Sequence, residues 1–188
     1  MRTNIYMRRI GIHQSYLFPY KGYFDLIKSV DIFVLYDDAQ YIKGGWINRN
    51  CFPEPFTFRL KKHSNYDKIN QLYFFDIEKD KIKFKKCFPK LNHKYLDTLK
   101  QEDNLAVNIH RTIIEICKDL NKSTPIYSAS EIKHGKFVKG MLDMIRALGG
   151  DTYINAPGGR KLYTQEMFGD IKLEFLDTVV GPSILCEL

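Results

Sequence analysis

Short apolar runs alternate with polar segments along this chain, and two such runs lie close together near its beginning. The runs Arg9–His13 and Ile32–Tyr36 both lead directly into polar side chains, which is typical of buried strands. Between them, Phe24, Ile27 and Lys28 recur at the three- and four-residue spacing of a helix. A strand, a short helix and a second strand predict parallel pairing through a right-handed crossover.

The second half of the chain continues this alternation of helices and strands. Helices are predicted at Leu105–Leu120 and Phe137–Leu148, where apolar residues line one face. Short strands are predicted at Ile126–Ser128, Thr152–Asn155 and Lys172–Leu176, with a short helix near Thr164–Phe168. This order of elements is typical of a sheet with helices packed against it.

The segment after residue 50 has a different character. Phe56–Leu60 alternates apolar and polar residues, and we expect it to form a β-hairpin with Ile69–Phe75. A lysine-rich helical region, Lys79–Lys100, follows and is broken at Pro89. The patterns together predict a single α/β domain over residues 1–188, with a Rossmann-like, mostly parallel sheet flanked by helices and a hairpin and helical insertion. Residues 1–6 follow no pattern and are expected to form an irregular lead.

Polar side chains follow three of the predicted strands at the points where these strands end. The pairs His13-Gln14 and Asp37-Asp38 end the first two strands, and a later strand runs into a glycine-containing loop, residues 156–160. Ligands of open α/β sheets bind beyond the carboxyl ends of the strands. We therefore expect both polar pairs to open onto one crevice.

Composition and net charge indicate which kinds of partner the protein binds and in which compartment it functions. The chain has 188 residues and a net charge of 29 − 22 = +7, which favours an anionic partner such as a nucleotide sugar, RNA or a membrane surface. Its four cysteines stand far apart without a C-x-x-C pair, which argues against a zinc site or a disulfide scaffold. No apolar run is long enough to span a membrane, so we expect a cytoplasmic protein in which peripheral membrane contact stays open.

Several motifs carry a resemblance to a known family. They are His13-Gln14, Pro19–Asp25, Tyr36–Tyr41 and Trp46–Asn50, with Ala147–Gly149, Tyr153–Asn155 and Gly158-Gly159 later in the chain. In these motifs the chain resembles the WbqC-like family, whose members are encoded in bacterial surface-polysaccharide clusters, including those for O-antigen in lipopolysaccharide. The resemblance implies a transferase of that biosynthesis, with transfer of glycine to an amino sugar as the suggested reaction.

A weaker resemblance is to the nucleotidylyltransferase superfamily, in which an acyl-adenylate reacts with an amine. The chain departs from that pattern because Tyr23 stands where a second histidine is expected. A K-M-S-K-S-like loop is also missing, although Arg160-Lys161 occupies a comparable late position. The sequence contains no Walker A loop.

The chemistry of glycine transfer selects candidate residues. An amine must lose a proton to attack an activated carboxyl group, and His13, Asp37 and Asp38 are the candidate bases. A diphosphate suits Arg49 and Lys21, and amide or ammonium donors stabilise the developing oxyanion. The candidate substrate-binding residues are Gln14, Tyr16, Lys21, Gln40, Tyr41, Lys43, Trp46, Asn48, Arg49, Asn155, Gly158 and Gly159, and no metal-binding residue is predicted.

Other interpretations of these residues remain open. Asp37 and Asp38 can simply cap the loop after their strand, Trp46 can belong to the core, and Gly158-Gly159 can be a plain turn. The donor is either ATP-activated glycine or an aminoacyl-tRNA, and the acceptor is a nucleotide-linked or a lipid-linked amino sugar. Alternative functions are nucleotidyl or glycosyl transfer in the same biosynthesis, or a non-catalytic scaffold for polysaccharide enzymes.

Overall fold

The computed structural model describes residues 7–188, so the predicted lead of residues 1–6 lies outside the described residues. The strands are β1 (Arg9–Gln14), β2 (Ile32–Tyr36), β3 (Arg49–Phe52), β4 (Glu54–Thr57), β5 (Ile126–Ser128), β6 (Thr152–Asn155) and β7 (Lys172–Phe175). The α-helices are α1 (Lys21–Lys28), α2 (Ile77–Cys87), α3 (Leu105–Asp119) and α4 (Phe137–Ala147). The predicted α/β class is confirmed.

Five strands form one parallel sheet in the order β5-β2-β1-β6-β7. In the pairing of β1 with β2, Ile12 lies opposite Val34 and Gln14 lies opposite Tyr36. β1 is therefore central and hydrogen-bonded on both edges, since it also pairs with β6. This position explains the apolar run around Gly11, because a central strand of a parallel sheet is buried on both faces.

The two faces of the sheet are covered by different helices. Phe33 and Leu35 join a core cluster that includes the buried residues of α1 and α3, whereas Val34 joins a second cluster with those of α4. Consecutive residues of a strand point to opposite faces, so three adjacent apolar residues serve two cores. The predicted helix at Leu105–Leu120 is confirmed as α3.

The order of the strands creates a switch point beside β1. From β1 the chain builds outward through β2 to β5 on one side, and then returns to place β6 and β7 on the other. The connection after β1 leads to β2 on one side, and the connection after β6 leads to β7 on the other side. Because the two connections leave in opposite directions, a crevice opens between the carboxyl ends of β1 and β6. None of the helices in residues 7–188 is both long and apolar enough to cross a membrane.

The predicted pairing of Phe56–Leu60 with Ile69–Phe75 is confirmed only around Leu60 and Phe74, where the amides of Lys61 and Phe75 donate to the carbonyls of Tyr73 and Arg59, both at 2.9 Å. β4 pairs instead with β3, while Ile69–Gln71 forms a 3-10 turn and Leu60 meets Phe74 only through an isolated bridge. β3 and β4 adjoin across Pro53, so their pairing closes a very short loop at little entropic cost.

The alternation of apolar and polar residues in Phe56–Leu60 arises because its phenylalanines are buried in an aromatic cluster. Phe56 and Phe58 are buried and contact Phe84 of α2, with ring centroids 5.2 and 5.7 Å away. The predicted break at Pro89 is confirmed, because α2 ends at Cys87. The rest of the lysine-rich region contains a 3-10 helix, Lys94–Thr98, rather than a continuing α-helix.

Replacement of Ile113 by alanine tests the core of α3. Ile113 is fully buried, so Ile113→Ala should lower the free energy of unfolding by about 2–5 kcal/mol. Ile82→Ala on α2 is the matched control, because Ile82 is 56% exposed and should change stability by less than about 0.5 kcal/mol. Urea unfolding measures both, and equal stability of the two variants would contradict the assigned burial.

Candidate functional site

A cavity of about 510 Å³ opens at the carboxyl ends of β1, β2 and β6. We call it the switch-point cavity. Its walls include His13 and Gln14 at the end of β1, Tyr36 at the end of β2 and Asn155 at the end of β6. It therefore lies where the strand order of a doubly wound sheet predicts a ligand.

A smaller cavity of about 280 Å³ adjoins the first one. We call it the side pocket. His13, Tyr20 and Val180 line both cavities, whereas Tyr16 and Trp46 line the side pocket alone. The structure thus brings the predicted residues Tyr16 and Trp46 next to His13, and His13 stands between two adjoining spaces.

His13 is held as a neutral imidazole with one defined tautomer. Its Nδ1 lies 3.2 Å from the backbone carbonyl oxygen of Gln14. A carbonyl only accepts hydrogen bonds, so Nδ1 carries the proton and Nε2 carries the lone pair. Burial lowers the pKa of His13 below its ordinary value of 6.5, against the opposing effect of this hydrogen bond. Within residues 7–188, the side chain of His13 forms its hydrogen bond through Nδ1, which leaves Nε2 to a ligand.

Tyrosine rings and the Gln14 carbonyl fix the orientation of His13. The imidazole meets Tyr16 and Tyr23 edge to face, with ring centroids 5.2 and 4.9 Å away. The hydroxyl of Tyr23 also donates to the carbonyl of Gln14 at 3.1 Å. One backbone oxygen therefore receives two hydrogen bonds, one from helix α1 and one from the histidine whose tautomer it sets.

Neutral aromatic groups form much of the wall of the switch-point cavity. Burial raises the pKa values of Tyr20, Tyr36 and Tyr163, so their hydroxyls stay protonated near neutral pH. Tyr153 donates its hydroxyl to the carbonyl of Ile12 at 3.2 Å. Within the described part of the chain, no lysine or arginine lines this cavity. Such walls suit a neutral ring better than a polyphosphate.

The sequence pattern did not identify these tyrosines. Tyr36 appeared only as the last residue of a strand and the first residue of a family motif, and Tyr163 lies just before a predicted short helix. These tyrosines form the wall because β6 and the segment after it pack beside β1, and a local sequence pattern does not encode such a distant contact. Burial of a polar ring at the end of a strand is the signal that identifies Tyr36.

The glycine loop after β6 is a short 3-10 helix, Pro157–Lys161. The amide of Gly159 donates to the carbonyl of Ala156 at 3.0 Å, so it is already engaged within the turn. The side chain of Asn155 accepts a hydrogen bond from the amide of Ala156 at 2.7 Å. Gly158, Gly159 and Asn155, which are predicted to bind substrate, all line the cavity, with a packed turn in place of an open loop.

Asp37 and Asp38 do not line the switch-point cavity. The carboxylate of Asp37 accepts hydrogen bonds from the amide and hydroxyl of Ser130, at 2.9 and 2.6 Å, and faces a separate cavity of about 470 Å³. Asp38 pairs with Lys68 at 3.0 Å and lies 3.4 Å from Nε2 of His134. The expected single crevice therefore contains the first polar pair only, because both carboxylates tie the end of β2 to neighbouring segments.

Several residues predicted to bind substrate are engaged in internal contacts. The hydroxyl of Tyr41 donates to the Asn48 side chain at 2.8 Å, and the Asn48 amide donates to the carbonyl of Phe58 at 2.7 Å. Both Tyr41 and Asn48 are buried. Gln40 donates to the carbonyl of Asn65 at 2.7 Å. These contacts fix the loop that carries Trp46.

The predicted cationic residues lie outside the walls of the switch-point cavity. Lys21 forms an exposed ion pair with Asp25 at 2.7 Å on helix α1. Lys43 is exposed in the loop before Trp46. The guanidinium carbon of Arg49 lies 5.7 Å from the centroid of the Trp46 ring, beside the side pocket. Of these three predicted cations, Arg49 is the one whose side chain stacks near a residue that lines the side pocket.

The two glycines of the turn offer a matched test of the cavity wall. A Cβ on Gly159 would lie 2.3 Å from Nδ2 of Asn155, whereas a Cβ on Gly158 would meet nothing within 4 Å. Gly159→Ala should therefore lower the free energy of unfolding by about 1–3 kcal/mol, and Gly158→Ala should change it by less than about 0.5 kcal/mol. Thermal or urea unfolding measures both, and equal losses would refute the close contact.

The tautomer of His13 can be observed directly. In a long-range proton–nitrogen NMR spectrum at neutral pH, we expect Nδ1 of His13 to be protonated and Nε2 to be bare. The signal is assigned by its loss in His13→Gln. On titration its midpoint should fall below 6.5, because burial disfavours the charged ring. A proton on Nε2, or a midpoint above 6.5, would contradict this geometry.

Comparisons with known proteins identify the family of the chain. A 44-residue segment is 54% identical to "Uncharacterized protein Rv1507c" of Mycobacterium tuberculosis (strain ATCC 25618 / H37Rv), and it covers 23% of this chain and 19% of that protein. The match thus spans about a fifth of that relative. No solved structure matches the chain. The model of the WbqC-like protein family matches residues 14–182, and the chain therefore belongs to the WbqC-like family.

Proposed function

We propose that this protein is a transferase that moves glycine, or a similar acyl group, onto the amine of an amino sugar in bacterial surface-polysaccharide biosynthesis. Membership of the WbqC-like family supports the biosynthetic setting. The observation that carries the reaction is the neutral His13, whose Nδ1 is bound to the Gln14 carbonyl and whose Nε2 is left with a lone pair between two cavities.

His13 meets the chemical requirement for a base in this reaction. Its lowered pKa keeps the ring neutral near pH 7, so it accepts a proton without first losing one. Of the three predicted bases it lines the switch-point cavity, whereas Asp37 and Asp38 are bound to Ser130 and Lys68. The two carboxylates are therefore assigned to the positioning of β2 in this proposal.

In the proposed reaction, His13 acts on the amine of the sugar acceptor. The amine nitrogen of the sugar attacks the carbonyl carbon of the activated acyl group, and a C–N bond forms as the C–O bond to the leaving group breaks. Nε2 of His13 takes the proton that the amine loses, and it later returns that proton to solvent or to the leaving group. The protonated hydroxyls of Tyr20 and Tyr36 stand in the wall as hydrogen-bond donors for the developing oxyanion or for the sugar.

The donor in this proposal is either ATP-activated glycine or an aminoacyl-tRNA. The net charge of +7 suits both anionic donors. The absence of lysine and arginine from the described cavity walls favours placing the sugar there, with the phosphate-bearing part of donor or acceptor outside. The acceptor is nucleotide-linked or lipid-linked.

Removal of the base should abolish most of the transfer. In a mass-spectrometric assay of an amino-sugar acceptor with each donor, the product should gain one glycine residue. His13→Gln should lower the rate about 10²–10⁴-fold, because it removes the proton acceptor. His63→Gln is the matched control, since His63 lines neither cavity.

The assay has two outcomes that would refute the proposal. The first is no mass gain by any amino sugar with either donor. The second is an undiminished rate in His13→Gln while the melting temperature of that variant stays that of the wild type. Equal losses in the two histidine variants would show that His13 has no special role in the reaction.

A further inference from the structure

Exposed apolar side chains line the two adjoining cavities. Trp46, Leu162 and Val180 are 53%, 65% and 72% exposed. Trp46 and Val180 line the side pocket, and Val180 and Leu162 line the switch-point cavity. Single exposed apolar residues are common on protein surfaces, but three that line two adjoining cavities favour a binding surface for an apolar group.

The amide and the thiol that line the side pocket are both engaged within the protein, and aromatic rings of Tyr16, Tyr20 and Trp46 form much of the remaining wall. The amide side chain that lines it, Asn50, donates to the carbonyl of Phe18 at 2.6 Å and accepts from the amide of Cys51 at 2.8 Å. The thiol of Cys51 donates to the carbonyl of Pro53 at 3.3 Å. Asn50 and Cys51 are thus not free to pair with the donors and acceptors of a nucleobase, which lose free energy when they are buried unpaired, whereas a hydrocarbon chain has no such groups.

An unpaired cation lies beside this pocket. The guanidinium of Arg49 stacks near the ring of Trp46, and its Nε is buried without a hydrogen-bond partner. Within residues 7–188, Arg49 forms no ion pair with a carboxylate. A planar guanidinium with free donors is well suited to bind a phosphate group. Lys43, exposed in the same loop, adds positive charge.

We propose that the acceptor is a lipid-phosphate-linked amino sugar rather than a nucleotide-linked one. Its hydrocarbon chain enters the side pocket between Trp46 and Val180, and its phosphate binds Arg49. Its sugar extends into the switch-point cavity, where the amine meets Nε2 of His13. His13 lines both spaces, which is what a sugar joined to an apolar chain requires. This inference rests on the proposed function and specifies its substrate class.

Two soluble diphosphates with different tails test this assignment. Geranyl diphosphate carries a short hydrocarbon chain, and uridine diphosphate carries a nucleoside on the same anionic group. Calorimetric titration of the wild-type protein should give a dissociation constant at least about tenfold lower for geranyl diphosphate, because the apolar chain is buried in the side pocket. Equal affinities, tighter binding of uridine diphosphate, or no binding of geranyl diphosphate would overturn the assignment.

Matched substitutions locate the binding. Val180→Gln and Arg49→Gln should each weaken geranyl diphosphate about tenfold. Val107→Gln on α3 and Arg146→Gln on α4 are the controls and should leave the affinity unchanged, because both residues lie outside the two cavities. Thermal melts check that each variant is folded. Equal weakening by a control and its partner would overturn the assignment.

The outcome separates this inference from the proposed function. Binding of geranyl diphosphate requires no turnover. If a nucleotide-linked amino sugar gains glycine while geranyl diphosphate does not bind, the lipid assignment fails and the transferase proposal stands. If geranyl diphosphate binds as expected but neither a lipid-linked nor a nucleotide-linked acceptor gains glycine, the transferase proposal fails while the lipid-phosphate site stands.

Discussion

The site depends above all on the position of β1, which pairs with β2 on one edge and with β6 on the other. β6 pairs with β1 from Arg9 to Gly11, and β2 pairs with it as far as Gln14, so the sheet still holds the residues at the end of the strand on one edge. The carbonyl of Gln14 then receives both the His13 ring and the Tyr23 hydroxyl. A rigid strand end thereby sets the tautomer of a titratable side chain, which is the kind of control that a catalytic base needs.

Burial determines the electrostatic character of the surroundings. The same desolvation lowers the pKa of His13 and raises the pKa values of Tyr20 and Tyr36, because in each case it disfavours the charged form. The cavity is therefore lined by neutral donors and one neutral base. In the described part of the chain, charged side chains lie outside this cavity, where Arg49 stacks near Trp46 and Asp38 pairs with Lys68.

The insertion after β2 supplies the second wall of the site. Its aromatic cluster anchors β3 and β4 against α2, and the carbonyl of Ile47 accepts a hydrogen bond from the amide of Leu17 at 2.8 Å. This contact joins the loop that carries Trp46 to the segment after β1. The insertion thus does more than lengthen the chain, because it places an aromatic ring and a guanidinium beside the residue that ends the central strand.

The sequence by itself determined the α/β class, β1, β2 and the helix α3, because buried strands and amphipathic helices leave periodic apolar patterns. It also placed His13 and Gln14 at the end of β1, on the side of the sheet where ligands of such folds bind. Only the tertiary structure decided that Asp37 bonds to Ser130, 93 residues away, and faces another cavity. It also decided the pairing of β3 with β4, because alternation of apolar and polar residues indicates which face of a strand is buried but not which strand pairs with it. Such choices depend on contacts between distant segments, which a local pattern does not contain.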